Sequence, residues 1–174
     1  MKKLTITLFS LLLVVCAAQA QSAEDLTNAG KSLYEKRQYM EAIINFNKAL
    51  EIDKEYYQAY FMRGKIKEVF DDLHGAMQDY NKSIDEKEDF ADGYHARGIL
   101  KFELQDYYGA IADFTTTIEI DSDNIDAYFK RGQAKHKLEA YQDAISDCSK
   151  IIELNPKNID AYFLRGTLRL DFGQ

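Results

Sequence analysis

Five glycines, Gly30, Gly64, Gly98, Gly132 and Gly166, follow one another at intervals of 34 residues in a chain that holds only nine glycines. Other positions keep the same step. Ala42, Ala76, Ala110 and Ala144 form one column, Tyr60, Tyr94, Tyr128 and Tyr162 a second with Leu26 in the first copy, and Tyr39, Leu73, Tyr107 and Tyr141 a third. Phe46, Tyr80, Phe114 and Cys148 form a fourth. Several columns in phase define an internal repeat, and a period of this length defines a stacked array rather than a closed globule with one centre. Four full units follow, 23–56, 57–90, 91–124 and 125–158, and a half unit spans 159–174.

Each unit reads as two helices, so the fold expected is all-α. Tyr94, Arg97, Gly98, Lys101 and Leu104 advance by three or four residues, as do Tyr107, Ala110, Ile111, Phe114 and Ile118. Leu104-Gln105-Asp106-Tyr107 separates them, matched by Lys36-Arg37-Gln38-Tyr39 and Leu138-Glu139-Ala140-Tyr141. A mid-helix glycine costs up to about 1 kcal/mol against alanine, so its return in every unit needs a packing reason. The expectation is close approach of the paired helices, with Gly on the first facing Ala on the second. Between units, Asp53, Asp121 and Asn155-Pro156 supply turn and cap chemistry.

Residues 1–20 read as a secretory signal. Lys2 and Lys3 precede the apolar run Leu4–Val15, and Ala18-Gln19-Ala20 offers small residues where signal peptidase reads. The run is too short for a membrane span of about 20 residues. Cleavage near Ala20 would release residues 21–174 to a periplasmic or extracellular location with no membrane span; a retained anchor and lipidation at Cys16, which follows the bulky Val15, are the competing readings. Without the two lysines the balance is 20 basic to 29 acidic residues, or −9, which repels nucleic acid and anionic lipid. Cys148 would be the sole remaining cysteine, so no disulfide framework is possible.

The 34-residue period, the Tyr-x-x-x-Gly start, the mid-unit Ala followed four residues later by Phe or Tyr, and the closing Pro156 resemble the tetratricopeptide repeat (TPR) family across 23–174. The residue before the glycine is Arg63, Arg97, Arg131 or Arg165, and a later column is Lys67, Lys101, Lys135 or Arg169. This pattern is similar to a Tyr-x-x-Arg-Gly-x-x-Lys subclass. The resemblance implies antiparallel helix pairs stacked in a right-handed superhelix, an α-solenoid with a concave groove, and a role in protein–protein interaction rather than catalysis. The family's chaperone-tail subclass clamps a terminal carboxylate with Lys and Asn. Thr27, Lys31, Met62, Asp92 and Ala96 occupy the corresponding places and do not make that clamp.

The cations are read as structural. Arg63/Lys67/Asp79, Arg97/Lys101/Asp113 and Arg131/Lys135/Asp147 are expected to form ion networks between packed helices, since an arginine stem covers apolar surface while its fork reaches a carboxylate. The first unit replaces all three members together, with Ala29, Leu33 and Asn45. The competing reading is an anion site.

The groove implied by the resemblance would carry Phe61, His95, Phe102, Phe129, His136 and Phe163, candidates for holding a peptide; the alternative is that these rings pack against neighbouring helices. Glu24, Asp92, Asp126 and Asp160 form an acidic row at its edge, suited to a positively charged or extended apolar segment.

No sequence motif calls for a metal or a cofactor, and no catalytic residues are expected. His74, His95 and His136 form no metal pair at helical spacing. Asp121–Asp126 faintly resembles a calcium loop but lacks its glycine and distal glutamate, and a turn ending in a helix cap accounts for it. Residues 159–173 repeat a first helix, and Leu164, Leu168, Leu170 and Phe172 leave apolar surface there. Self-association through this helix is one expectation. Another is that the chain is the N-terminal docking or sensor segment of a larger enzyme or signalling protein, cut at Gln174. The function read from the sequence is an exported scaffold that binds a partner protein or peptide and performs no reaction.

Overall fold

The computed structural model describes residues 21–173; the signal segment 1–20, Cys16 included, lies outside them. The described residues form nine α-helices: α1 (Ala23–Glu35), α2 (Tyr39–Ile52), α3 (Tyr57–Val69), α4 (Leu73–Glu86), α5 (Ala91–Glu103), α6 (Tyr107–Ile120), α7 (Ile125–Lys137), α8 (Tyr141–Leu154) and α9 (Ile159–Asp171). No strand occurs among them. First and second helices alternate, and each helix packs on the next along the chain. First helices of neighbouring units also touch, α1 against α3 and α5 against α7. The result is an all-α solenoid.

The turn within a unit is the same four times. Arg37, Asp71, Gln105 and Glu139 have φ of 59°, 61°, 63° and 58°. In the turn after α5, the Gln105 N–H donates to the Phe102 carbonyl and the Asp106 N–H to the Lys101 carbonyl, 3.0 and 2.9 Å away. This is the Schellman closure, which places one residue in the left-handed region, a role glycine fills at least cost. Here four side-chain-bearing residues fill it. The turn then leads into the second helix, whose N-terminus Asp72 and Asp106 cap in α4 and α6 by accepting from the Gly75 and Gly109 N–H at 2.9 Å. A Cβ at either glycine would lie 2.1 Å from the capping carboxylate, which explains two of the four glycines that fall outside the 34-residue column.

Between units, Asn124 and Asn158 cap α7 and α9 from the Ala127 and Ala161 N–H. The Asp121 side chain accepts from the Asp123 N–H and the Asn124 amide, so Asp121 and Asn124 serve the turn and the cap. Among the described residues no cluster of three potential metal ligands occurs.

The expected Gly–Ala contact is corrected by the structure in the first three units and kept in the fourth, where the nearest atom to a Gly132 Cβ is the Ala144 carbonyl oxygen. A Cβ built on Gly30, Gly64 or Gly98 meets first the ring of Phe46, Tyr80 or Phe114, at 2.5, 2.9 and 2.8 Å. The glycine therefore makes room for the aromatic ring that its partner helix drives into the seam. Burying such a ring completely contributes about 2–3 kcal/mol, more than the helix loses by carrying glycine. In the fourth unit the ring is replaced by Cys148, and the nearest atom to a Gly132 Cβ recedes to 3.7 Å. Ala42, Ala76, Ala110 and Ala144 are fully buried beside this seam.

Candidate functional site

The charged columns meet across the helix pairs. Arg97 Nε donates to Asp113 Oδ2 at 2.9 Å and Arg97 Nη2 to Oδ1 at 2.7 Å, while Lys101 Nζ lies 2.8 Å from Oδ2. Arg63, Lys67 and Asp79 repeat this arrangement, as do Arg131, Lys135 and Asp147. The three aspartates are each only 3% exposed, so their charge is sustained by a bidentate fork and an ammonium together. The pairing to Asp79 and Asp113 holds Arg63 and Arg97 above their ordinary pKa.

Sequence reading missed the third arm of each fork. Nη1 of Arg63, Arg97, Arg131 and Arg165 reaches back to Asn47 Oδ1, Asn81 Oδ1, Thr115 Oγ1 and Ser149 Oγ of the preceding unit. The signal was present as a small polar column sixteen residues before each arginine. Each guanidinium also lies 5.4 Å over the tyrosine ring one turn earlier, Tyr60, Tyr94, Tyr128 or Tyr162. The arginines are thus staples between units, with their donors aimed into protein.

The aromatic and histidine candidates divide. Phe61 and His95 line one cavity of about 360 Å³ together with Lys65, Glu68, Tyr80, Asp92, Ala96 and Ile99. It lies over α3 and α5, with Tyr80 of α4 at its floor. Phe61 is a wall of this cavity rather than a free anchor, held edge-on by Phe90 at 5.0 Å and tilted against Tyr80 at 5.8 Å. The Tyr80 hydroxyl donates to the Glu68 carboxylate. Burial raises the Glu68 pKa, and the Tyr80 bond only partly opposes it. Lys65 Nζ sits 5.4 Å over the Tyr34 ring and 5.7 Å over Phe61.

Phe102 packs on Tyr107 at 5.3 Å, and Phe129 packs against the cores formed by α7, α8 and α9. Phe163 alone of the six stands out, 79% exposed. The histidines are clips between units: His95 Nε2 lies 2.9 Å from Asp126 Oδ2, and His136 Nε2 lies 2.8 Å from Asp171 Oδ2. The bond to His95 holds Asp126 below the usual carboxylate range. Glu24, Asp92, Asp126 and Asp160 are exposed. Cys148 is fully buried, and burial pushes its thiol up to about 11, so it is an apolar filler and a poor nucleophile.

A stack of helix pairs sealed by in-phase glycines and inter-unit arginines defines an α-helical repeat protein. Tetratricopeptide repeat models match residues 26–56 and 125–158, and a TPR repeat model matches residues 100–139. The chain carries tetratricopeptide repeats. Among curated proteins no sequence match is found. Solved structures similar to it include MamA protein (22% identity, 87% of this chain and 82% of that one, TM-score 0.79). YrrB, described as a TPR protein with an unusual peptide-binding site, is also similar (19% identity, 92% and 83%, TM-score 0.80). So is the first TPR of Spaghetti (RPAP3), bound to the HSP90 peptide SRMEEVD (20% identity, 70% and 97%, TM-score 0.65). These likenesses establish the fold. Among the described residues no helix is long and apolar enough to cross a membrane.

Proposed function

We propose that this chain is an exported adaptor that holds an extended segment of a partner protein against its first helices and performs no chemistry of its own. The observation that carries the reading is the cavity of about 360 Å³ over α3 and α5. It pairs apolar walls, Phe61 and Ile99, with polar groups that converge on one space, the arrangement expected of a binding pocket. Two carboxylates, Glu68 and Asp92, face one ammonium, Lys65, and the exposed acidic row continues to Asp126 and Asp160. A segment with basic and aliphatic side chains complements that surface. YrrB and the RPAP3 domain, described with a peptide site and a bound peptide, support a peptide as the ligand, while its basic character rests on the acidic lining alone.

The test is selection of displayed random peptides on residues 21–174. Enrichment of Lys or Arg interleaved with aliphatic residues is expected. The exposed Asp92→Lys should weaken a selected peptide about tenfold, the worth of one charge-assisted contact, without moving the melting temperature. Failure to enrich, or affinity indifferent to both Asp92→Lys and Lys65→Glu, overturns the site. Phe61→Ser is a poor probe because that ring supports Tyr80 and Phe90. Export is tested by N-terminal sequencing of protein recovered from its native cell: Gln21 should come first, and an intact N-terminus on cytoplasmic protein overturns it.

A further inference from the structure

Glu68 is the one acid in its column; Tyr34, Phe102, His136 and Leu170 hold the same place in the other first helices. Tyr80, which donates to it, is likewise the one hydroxyl in the ring column, where Phe46, Phe114 and Cys148 stand in the other units. Acid and hydroxyl therefore enter together, in a single unit, and both line the cavity over α3 and α5. Packing does not require them, because Phe46 and Phe114 fill the same seam, fully buried, without a hydroxyl. A polar pair set where an apolar ring suffices, in the wall of a cavity, points to binding rather than to folding.

The Glu68 carboxylate also lacks what the fully buried carboxylates of this chain have. Asp79, Asp113 and Asp147 each sit between an arginine and a lysine. Glu68 is half-buried, and it joins none of the ion pairs among the described residues. The groups that face it are Tyr34 of α1, Tyr80 of α4 and Glu103 of α5, with Lys65 on its own helix. Lys65 turns its ammonium over the Tyr34 and Phe61 rings. Asp92 and His95 complete the polar lining, His95 against Asp126. Burial raises the Glu68 pKa, and Glu103 adds to the rise. The Tyr80 hydroxyl occupies Oε2, which leaves Oε1 without a donor among the described residues. A carboxylate so placed calls for a cation brought by a ligand.

We infer that Glu68 is the specificity-determining residue of the groove and receives the head of a single lysine or arginine side chain of the bound segment, whose aliphatic stem lies along Phe61 and Ile99. The inference rests on the reading of this cavity as a peptide site and narrows it to one anchoring residue. At about 360 Å³ the cavity stands near the lower end of ligand pockets, which run from roughly 300 to 1,000 Å³, so it suits one long side chain of a longer segment.

The probe is a pair of blocked pentapeptides, acetyl-Ser-Val-Lys-Val-Ser-amide and the same sequence with norleucine for lysine, which keeps the stem and removes the charge. Each is titrated into residues 21–174 and followed by the backbone amide resonances of α3 and α5. The lysine peptide should shift the amides around Glu68 and Ile99 saturably and bind about tenfold more tightly than its norleucine twin, the worth of one charge-assisted hydrogen bond. In Glu68→Gln, which keeps an acceptor for Tyr80, the two peptides should bind alike. The parent's preference should widen as pH rises above the ordinary glutamate value, and widen more than that of Glu68→Gln. Asp92, His95 and Glu103 are present in both proteins, so the difference isolates Glu68. No preference in the parent, or an equal preference in parent and Glu68→Gln, overturns Glu68 as the receiver and leaves the peptide groove standing. Absence of a saturable shift by the lysine peptide, beside clear shifts by peptides selected from the displayed library, does the same. If neither the pentapeptides nor the library yields a ligand, the groove reading falls and this inference with it.

Discussion

Arg97 grips Asp113 through two nearly parallel N–H···O bonds of 2.9 and 2.7 Å and spends its remaining arm on Asn81 of the unit before. One side chain therefore closes its own helix pair and ties it to its neighbour. Asp113→Ala would leave Arg97 and Lys101 facing each other without a counter-charge in a largely buried site. A loss of about 3 kcal/mol is expected, as for removal of one partner of a buried pair. Urea unfolding of residues 21–174 measures it, and a midpoint equal to the parent's refutes the structural role. Asp79→Ala should behave alike, while Asn45→Ala, whose amide bonds only the Glu41 carbonyl of its own helix, should cost far less.

The glycine column carries opposite signs at two neighbouring members. Gly98→Ala drives a methyl into the Phe114 ring, 2.8 Å away, and should cost about 1–3 kcal/mol through overpacking. Gly132→Ala meets nothing closer than 3.7 Å and should gain up to about 1 kcal/mol from helix propensity. Thermal melts of the two variants side by side decide it.

The left-handed turn residues store removable strain. Gln105→Gly should raise stability by about 1 kcal/mol, because a Cβ in that region costs about 1–2 kcal/mol and the greater freedom of unfolded glycine returns part of it. Gln105→Val should lower stability, since a β-branched residue fits that conformation worst. If the two melt together, the φ of 63° is not a constraint on the fold.

Two carboxylates pull the pH dependence in opposite directions. Glu68 has a raised pKa, chiefly from burial, so between the ordinary glutamate value and its own the folded protein binds more protons than the unfolded. Its contribution to stability falls as pH rises through that window. Asp126 is lowered, chiefly by its bond to His95, so its contribution is present above the ordinary aspartate value and is lost as pH falls through its own. Urea midpoints across the acid range should therefore show a gentler fall toward neutral pH for Glu68→Gln, which keeps an acceptor for Tyr80. For Asp126→Asn the loss below about pH 4 should be gentler. Profiles that overlay the parent's refute both assignments.

In residues 21–174 Cys148 is the single thiol, fully buried and with its pKa raised by burial. A thiol reagent should react with native protein only as fast as it opens, and at full rate in denaturant. Prompt reaction in buffer would place the sulfur at the surface.

The pattern of glycine, alanine and aromatic columns was enough to expect an all-α repeat of paired helices, because those columns record contacts made within one unit. The arginine–aspartate ladder was legible for the same reason, helped by the joint change at Ala29, Leu33 and Asn45. Contacts between units were harder to read. The pairing of His95 with Asp126 and of His136 with Asp171 spans 31 and 35 residues, off the period, and so left no column. Phe61 and Phe129 were legible as a column but not as packed, since the same spacing describes a groove lining and a seam between neighbouring first helices. The partner of Gly30, Gly64 and Gly98 was misread because alanine recurs in step with the ring and only geometry separates a contact from a bystander; at Gly132, where Cys148 replaces the ring, the nearest atom does belong to Ala144.

Cys148, one small sulfur where the other units carry a ring, gives the array a direction. The seam it leaves between α7 and α8 is looser than the three before it, so the fourth unit is the weak link in a chain whose strength depends on its neighbours. Opening under heat is expected to start there, at the loosest of the four seams, before it reaches the units around the α3–α5 cavity. A partner held in that cavity would remain bound while the far side of the molecule breathes.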